Sequence, residues 1–308
     1  MVKLASRVMA GFNLPVFRNG TIVGVGLLGG SLGLALKKRR LARTVTGFAR
    51  RAATVAEARK LAALDECLLD VRAAVKHADL IVLCTPLAQM KLLVKQMLPA
   101  LKRGVIVTDV GSVKASVVRE LESLVSKAGG HFVGSHPMAG SEKAGVAWAR
   151  ADLYEGAVCV VTPTRRTNKS ALRKVEQLWK SVGGHVLRLT PEKHDALVSW
   201  SSHLPHIVAA TLASVVLEPK RPKAQAILCA NGFRDTTRIA SGSPEIWRDI
   251  AVANRKQLRA ALNEFVRELG RVQKILRNGD AVEISKLFET AKARRDRWCS
   301  RSTSLSPE

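Results

Sequence analysis

Gly24-Val25-Gly26-Leu27-Leu28-Gly29 follows a short apolar run, Thr21 to Val25, and opens a segment of helical character from about Gly29 to Arg40. Few features restrict a fold so tightly. Glycines at this spacing let the chain leave a strand in a tight turn, bring bare backbone up to an anion and start a helix close against the strand. The helix dipole and free N–H groups then meet a pyrophosphate. Glycines alone also mark plain turns, so the weight lies in the strand before and the helix after. Thr44 to Phe48 reads as a second strand and Arg51 to Ala63 as a second helix, which makes a βαβ opening.

The alternation continues with strands at Leu80 to Cys84, Val105 to Asp109 and His131 to Val133, separated by helical segments near Leu87 to Leu101 and Val113 to Ala128. This predicts an α/β fold with a Rossmann-type, doubly wound parallel sheet. Ala157 to Thr162 and His185 to Leu189 read as added strands around a helix from Asn168 to Val182. From Pro191 onward only helical patterns remain, over Pro191 to Val216, Glu245 to Arg277 and Asp280 to Trp298. The expected division is a dinucleotide-binding domain over 1–190, a helical domain over 191–299 and a disordered Ser-rich tail over 300–308.

Composition narrows the setting. The five cysteines are odd in number, widely spaced and without a C-x-x-C pair, so neither a disulfide framework nor a zinc knuckle is expected and a reducing cytoplasm fits. The start of the chain lacks an apolar secretory core, and the uncharged run 20–36 is broken by glycines, so neither secretion nor a membrane span is expected. Organelle import is a minor alternative. The net charge of +25 is the one oddity. Its basic residues are spread along the whole chain without interleaved aromatics, which suits a solvated surface that steers anionic substrates better than a nucleic-acid groove.

The end of the second strand sets the ribose preference in such folds. Gly47-Phe48-Ala49-Arg50-Arg51 offers no carboxylate for ribose hydroxyls and two guanidinium groups for a 2′-phosphate, so NADP is expected ahead of NAD. The cofactor-binding set is Gly24, Gly26, Leu27, Leu28, Gly29, Arg50 and Thr85. Ser112, in Thr108-Asp109-Val110-Gly111-Ser112-Val113-Lys114, is either a helix N-cap or an active-site hydrogen-bond partner, and Asp109 reads as structural. His136, in Ser135-His136-Pro137-Met138-Ala139-Gly140, is the candidate proton acceptor beside a nicotinamide. His77, His131, His185 and His194 read as structural. His203 and His206 lie three apart at a helix start in Ser202-His203-Leu204-Pro205-His206, with no acidic or cysteine partner nearby, so no metal site is expected. Arg234, Asp235 and Arg238 lie in Gly232 to Ala240, followed by Trp247-Arg248-Asp249, a density of groups suited to a carboxylate ligand.

Taken jointly, Gly24 to Leu32, Thr108 to Lys114, Gly134 to Gly145, Leu153-Tyr154-Glu155-Gly156, Ser202 to His206, Gly232 to Ala240 and Trp247-Arg248-Asp249 resemble the prephenate and arogenate dehydrogenases of tyrosine biosynthesis. The resemblance implies that His136 is the catalytic hydrogen-bond acceptor, that Ser112 assists at the reacting hydroxyl, that His206 helps place the substrate and that Arg238 binds a substrate carboxylate. It assigns His203, Asp235 and Trp247 to lining or supporting the substrate site. It further implies oxidative decarboxylation of prephenate or arogenate, and a helical domain that forms a homodimer. The chain departs from the pattern of strict NAD users at Ala49. Neither a mutase-like segment before the fold nor a regulatory domain after it is expected, and the sequence carries no expectation about feedback by tyrosine.

Two other readings compete. A β-hydroxyacid dehydrogenase also joins a Rossmann domain to helices but uses a lysine, whereas here the chemistry gathers on histidines. A nucleotide-sensing nucleic-acid-binding protein would use the positive charge, and its complex would dissolve at modestly raised salt.

Overall fold

The computed structural model describes residues 15–141 and 143–302. It divides into two compact units, one ending at Pro191 and one starting at Glu192. The first is built on an eight-stranded sheet in the order β3-β2-β1-β4-β5-β6-β7-β8. In chain order its elements are β1 (Phe17–Val23), α1 (Leu27–Lys38), β2 (Ala42–Phe48), α2 (Ala52–Lys60), β3 (Glu66–Leu68), α3 (Val71–Val75), β4 (Leu80–Leu83), α4 (Leu87–Met97), β5 (Ile106–Asp109), α5 (Ala115–Lys127), β6 (His131–Pro137), β7 (Val158–Thr162), α6 (Lys169–Ser181) and β8 (His185–Arg188).

The strand order reverses between β1 and β4, so the carboxyl ends of those two strands flank the crevice where ligands bind in open α/β sheets. Each face of the sheet has its own core. Leu32, Ala35 and Leu36 of α1 join Val175, Leu178 and Trp179 of α6 on one face. Val75 of α3, Val94 and Met97 of α4 and Leu121 and Val125 of α5 cover the other. Strands buried on both faces read as continuous apolar runs, which is why Leu80–Leu83 was legible.

The parallel pattern stops at β6. β7 runs antiparallel to β6, and β8 is parallel to β7. Among the described residues, only a short 3₁₀ turn, Val146–Trp148, interrupts the connection between β6 and β7. Without a crossover helix, the chain returns alongside β6 in the opposite sense. β6 is also longer than its apolar pattern suggested. Ile106 to Thr108 of β5 pair with its first residues, and Gly134 to Pro137 pair with β7 instead. His136 therefore sits within a strand, not in a loop.

The second unit is helical: α7 (Pro191–Val198), a π turn (Ser199–His203), α8 (Leu204–Val216), α9 (Lys223–Ile227), α10 (Asn231–Thr237), a 3₁₀ turn (Arg238–Ser241), α11 (Pro244–Ala253), α12 (Arg255–Asn278) and α13 (Ala281–Ser302). Its buried core is small, made of Leu204, Leu258 and Ala261, with partly buried Ile207, Val208, Ala251, Leu262 and Phe265 around them. Helix α13 continues through Ser300 to Ser302, so the expected disordered tail does not begin at 300; its remainder, 303–308, lies outside the described residues. Among the described residues, no helix is long and apolar enough to cross a membrane.

Candidate active site

The glycine turn forms one side of a cavity of about 270 Å³, lined by Gly24, Gly26, Ala49, Arg50, Arg51, Glu57, Thr85, Gly145 and Val146 among others. Gly24 has φ +102°, and a Cβ there would lie 2.7 Å from the Cys84 carbonyl oxygen, so no other residue fits. A Cβ on Gly29 would lie 2.1 Å from the Gly24 carbonyl oxygen, which sets how closely α1 approaches β1. At Gly26 a Cβ would meet nothing within 4 Å, so the missing side chain leaves open space at the start of α1. No side chain caps that helix start. The Thr85 hydroxyl is buried beside the cavity without a hydrogen-bond partner. Open space, an uncapped helix start and an unsatisfied hydroxyl together fit a dinucleotide with its pyrophosphate at Gly26.

Of the residues expected to bind cofactor, Gly24, Gly26, Arg50 and Thr85 line this cavity, whereas Leu27, Leu28 and Gly29 do not. Leu27 to Gly29 form the first turn of α1 and offer its backbone. Ala49 is buried at the end of β2, and Arg50 and Arg51 follow it exposed. The Cys84 thiol also lines the cavity, but burial pushes its pKa far up, and the charge of Asp109 adds to the effect. It is a protonated thiol, not a nucleophile.

The carboxyl ends of β5 and β6 carry a buried polar network. Asp109 and Lys114 are both fully buried and form an ion pair. Asp109 accepts from the backbone N–H of Gly111 at 2.9 Å and from that of Ser135 at 3.0 Å. Lys114 donates to the Ser135 carbonyl at 2.8 Å. The Ser135 hydroxyl spends its proton on the Asp109 carbonyl at 2.6 Å, so in its 2.8 Å contact with Thr108 it is the acceptor. Four of these bonds end on Ser135, the residue before His136, which is itself only 8% exposed. A buried ion pair adds little net stability but loses several kcal/mol when one partner goes, roughly 3–5. The network therefore fixes the backbone that presents His136.

Ser112 lies on the bend between β5 and α5. The N-cap position of α5 belongs to Lys114, so the capping alternative for Ser112 does not hold. In the sequence Asp109 reads as structural and Lys114 by itself carries no sign of a role. The signal was present in the same stretch, an Asp at a strand end followed five residues later by a Lys, but a lysine is read as exposed unless its partner is known.

In the helical unit, the π turn and α8 set two imidazoles against one indole. His206 stacks on Trp247 with centroids 3.5 Å apart, and His203 meets it edge-on at 6.1 Å. The Trp247 indole can approach because residue 242 is glycine; a Cβ there would lie 2.8 Å from its Nε1. The two histidines do not lie at a helix start, since α7, the π turn and α8 form one continuous helical run.

His203 is 1% exposed. Burial drops its pKa to about 4, offset by the charge of Asp195 and reinforced by His194 and His206. The Asn254 amide donates to the Asp195 carbonyl at 2.9 Å and lies 3.1 Å from His203 Nδ1. An amide NH₂ only donates, so Nδ1 accepts and Nε2 carries the proton. That Nε2 is buried and has no partner. His194, read from the sequence as structural, is buried and bonded to Asp195 at 2.8 Å in the same cluster. His206 Nδ1 faces the Ser202 carbonyl at 3.0 Å and must donate, which leaves Nε2 to accept. Burial lowers its pKa, the Ser202 bond opposes this, and the nearby Arg238 charge lowers it further. Arg238 is exposed at the start of its 3₁₀ turn. Asp235 is exposed too and, among the described residues, forms no ion pair with Arg238.

The family model described as "Prephenate dehydrogenase, nucleotide-binding domain" matches residues 32–188, and "Prephenate dehydrogenase, dimerization domain" matches residues 190–290. This chain belongs to the prephenate dehydrogenase family. Members dehydrogenate prephenate or arogenate in tyrosine biosynthesis, and this chain is an enzyme of that kind. It is similar to the prephenate dehydrogenase of Bacillus subtilis, 35% identical over 89% of this chain and 74% of the relative. It is 33% identical to the cyclohexadienyl dehydrogenase of Zymomonas mobilis over 91% of this chain and 96% of that protein. A solved prephenate dehydrogenase from A. aeolicus, in complex with hydroxyphenyl propionate and NAD+, superposes with a TM-score of 0.85 at 32% identity, covering 91% of this chain and 98% of that one. Membership sets aside the β-hydroxyacid and nucleic-acid readings and makes the cofactor a nicotinamide dinucleotide.

Proposed function

We propose that the chain catalyses the oxidative decarboxylation of prephenate to 4-hydroxyphenylpyruvate, of arogenate to tyrosine, or of both, with NADP preferred over NAD and as a homodimer through its helical unit. His136, held at the end of β6 by the Asp109–Lys114–Ser135 network, carries this reading. It accepts the proton of the ring hydroxyl, and Ser112 shares that hydrogen bond. A nicotinamide held in the cavity would supply the acceptor for the hydride that leaves the hydroxyl carbon. As the C=O bond forms there, the bond from the ring to its carboxylate breaks. Its electron pair enters the ring and ends on the oxygen, which recovers a proton from His136. Carbon dioxide leaves and the ring becomes aromatic.

Arg238 supplies the charge for a substrate carboxylate, with His206 as an uncharged hydrogen-bond partner. His203 and Trp247 shape the surface around it. Asp235 is assigned a supporting role without an ion pair to Arg238. The homodimer is supported by the match to a dimerization domain and by apolar side chains left in solvent, such as Ile227 at 82% and Val282 at 75% exposure.

The NADP preference rests on Arg50 and Arg51, which line the cavity, and on the absence of a carboxylate at the end of β2. Steady-state rates with both substrates and both cofactors test the reading. Turnover of prephenate or arogenate is expected, with the higher kcat/KM for NADP. Ala49→Asp with Arg50→Ile should move the cofactor ratio toward NAD by about tenfold, roughly 1.4 kcal/mol. A parent enzyme faster with NAD, or a double variant whose ratio stays put, would overturn the cofactor assignment alone.

A further inference from the structure

The connection between β6 and β7 is fastened to the first two turns of α1 at three points. Tyr154, the one tyrosine of the chain, donates its hydroxyl to the Leu28 carbonyl at 2.7 Å. The Arg150 backbone N–H donates to the Ser31 hydroxyl at 3.0 Å. Val146 and Ala149 lie over Gly30 so closely that a Cβ there would be 2.7 Å from Val146 Cγ2 and 2.9 Å from Ala149 Cβ. Gly30 falls outside the G-x-G-x-x-G spacing, so phosphate binding does not itself require glycine at this position. The close approach of this connection does.

The same connection forms part of the dinucleotide cavity through Gly145 and Val146. Tyr154 is fully buried, and its ring rests against Trp179 with centroids 5.4 Å apart at an angle of 55°. Its hydroxyl thus arrives from a rigid support. The carbonyl it bonds belongs to the Leu28–Gly29 peptide, within the turn whose N–H groups would meet a bound pyrophosphate. A bond to the carbonyl fixes that peptide and polarises its N–H toward stronger donation.

We propose that Tyr154 is a positioning residue for the cofactor's pyrophosphate: it holds the first turn of α1 in its anion-binding geometry and ties it to the connection that follows the strand carrying His136. The proposal rests on the reading of the cavity as the dinucleotide site.

Tyr154→Phe keeps the ring against Trp179 and removes only the hydroxyl. Dissociation constants for NAD+ and NADP+ by calorimetric titration, inhibition constants for ADP and adenosine, and the KM for prephenate together read its role. The constants for both dinucleotides and for ADP should rise together by about three- to tenfold, the scale of one lost hydrogen bond, while adenosine and prephenate stay within about twofold. Gly30→Ala, which lifts the same connection from the opposite side, should repeat that pattern. A lowered melting temperature with unchanged ADP and dinucleotide affinity would make Tyr154 a core residue only and overturn the proposal. An equal loss for adenosine would overturn it as well, since adenosine never meets the turn. If the parent enzyme bound neither ADP nor a dinucleotide, the reading of the cavity and this role would fall together.

Discussion

The two units hold their chemistry in opposite ways. In the sheet unit, Asp109, Lys114, Ser135 and His136 are all buried, and the bonds among the first three leave the backbone at His136 one position to occupy. In the helical unit, two buried or half-buried histidines flank Trp247, while Arg238 and Asp235 face solvent and large apolar side chains such as Ile227, Val282 and Phe288 remain exposed. A proton transfer tolerates little positional error, and a closed polar network supplies that precision. Recognition of a carboxylate depends on charge at the surface. The sheet unit is complete in its own core; the helical unit exposes apolar area of the kind a partner covers.

This contrast can be broken most directly at His136. His136→Asn should lower kcat by about two to four orders of magnitude while leaving cofactor affinity close to that of the parent. A kcat within a few-fold of the parent would remove the chemistry from the sheet unit and reduce His136 to a structural residue. Arg238→Gln comes next. It should raise the KM for prephenate by about 10- to 100-fold with little change in kcat or in the cofactor KM, because it removes a charge-assisted bond formed on binding. A loss confined to kcat would mean that the helical unit shares in the chemical step and the contrast is too sharp. An unchanged KM would shift attention to Arg234.

The last effect falls on stability and leaves turnover aside. His203 is neutral when folded because burial holds its pKa near 4, against an ordinary value of 6.5. Between those values the unfolded chain binds more protons than the folded one, so stability falls as pH drops through that window and is fully present above it. The loss should be roughly 3 kcal/mol. His203→Gln should flatten this dependence in denaturant titrations at pH 4 to 7. An equally steep decline in the variant would assign the acid sensitivity to another group, and His194 in the same cluster would be the first to test.

Much of the sheet unit was legible because its elements are regular and its cofactor turn has a mechanical rationale. Leu80–Leu83 announces a buried strand, and Gly24 to Gly29 announces its turn between strand and helix. Less legible were β3 and α3, with three and five residues, too short for either periodicity to register. The antiparallel β7 was hidden by its own ordinary strand pattern; the clue was the missing crossover helix before it. His136 was found from its motif, yet the reason it stays in place was not, because Lys114 and Asp109 look unremarkable until both are known to be buried. In the helical unit, Asn254 and Asp195 gave no sign that they set the tautomer of His203, since the bonds span 51 and 59 residues.

The π turn at Ser199–His203 bears on how this chain should be aligned with others. A five-residue turn holds about one residue more than an α-helix would at that point, and each residue turns a helix by about 100°. Everything after it, His206 included, points where it does because of that surplus. A chain one residue shorter here could carry the same histidines and the same tryptophan, in the same order, and still aim His206 away from the indole. Counting motif residues would score such a chain as equivalent. Only the placement of a single-residue gap within the helix would separate the two.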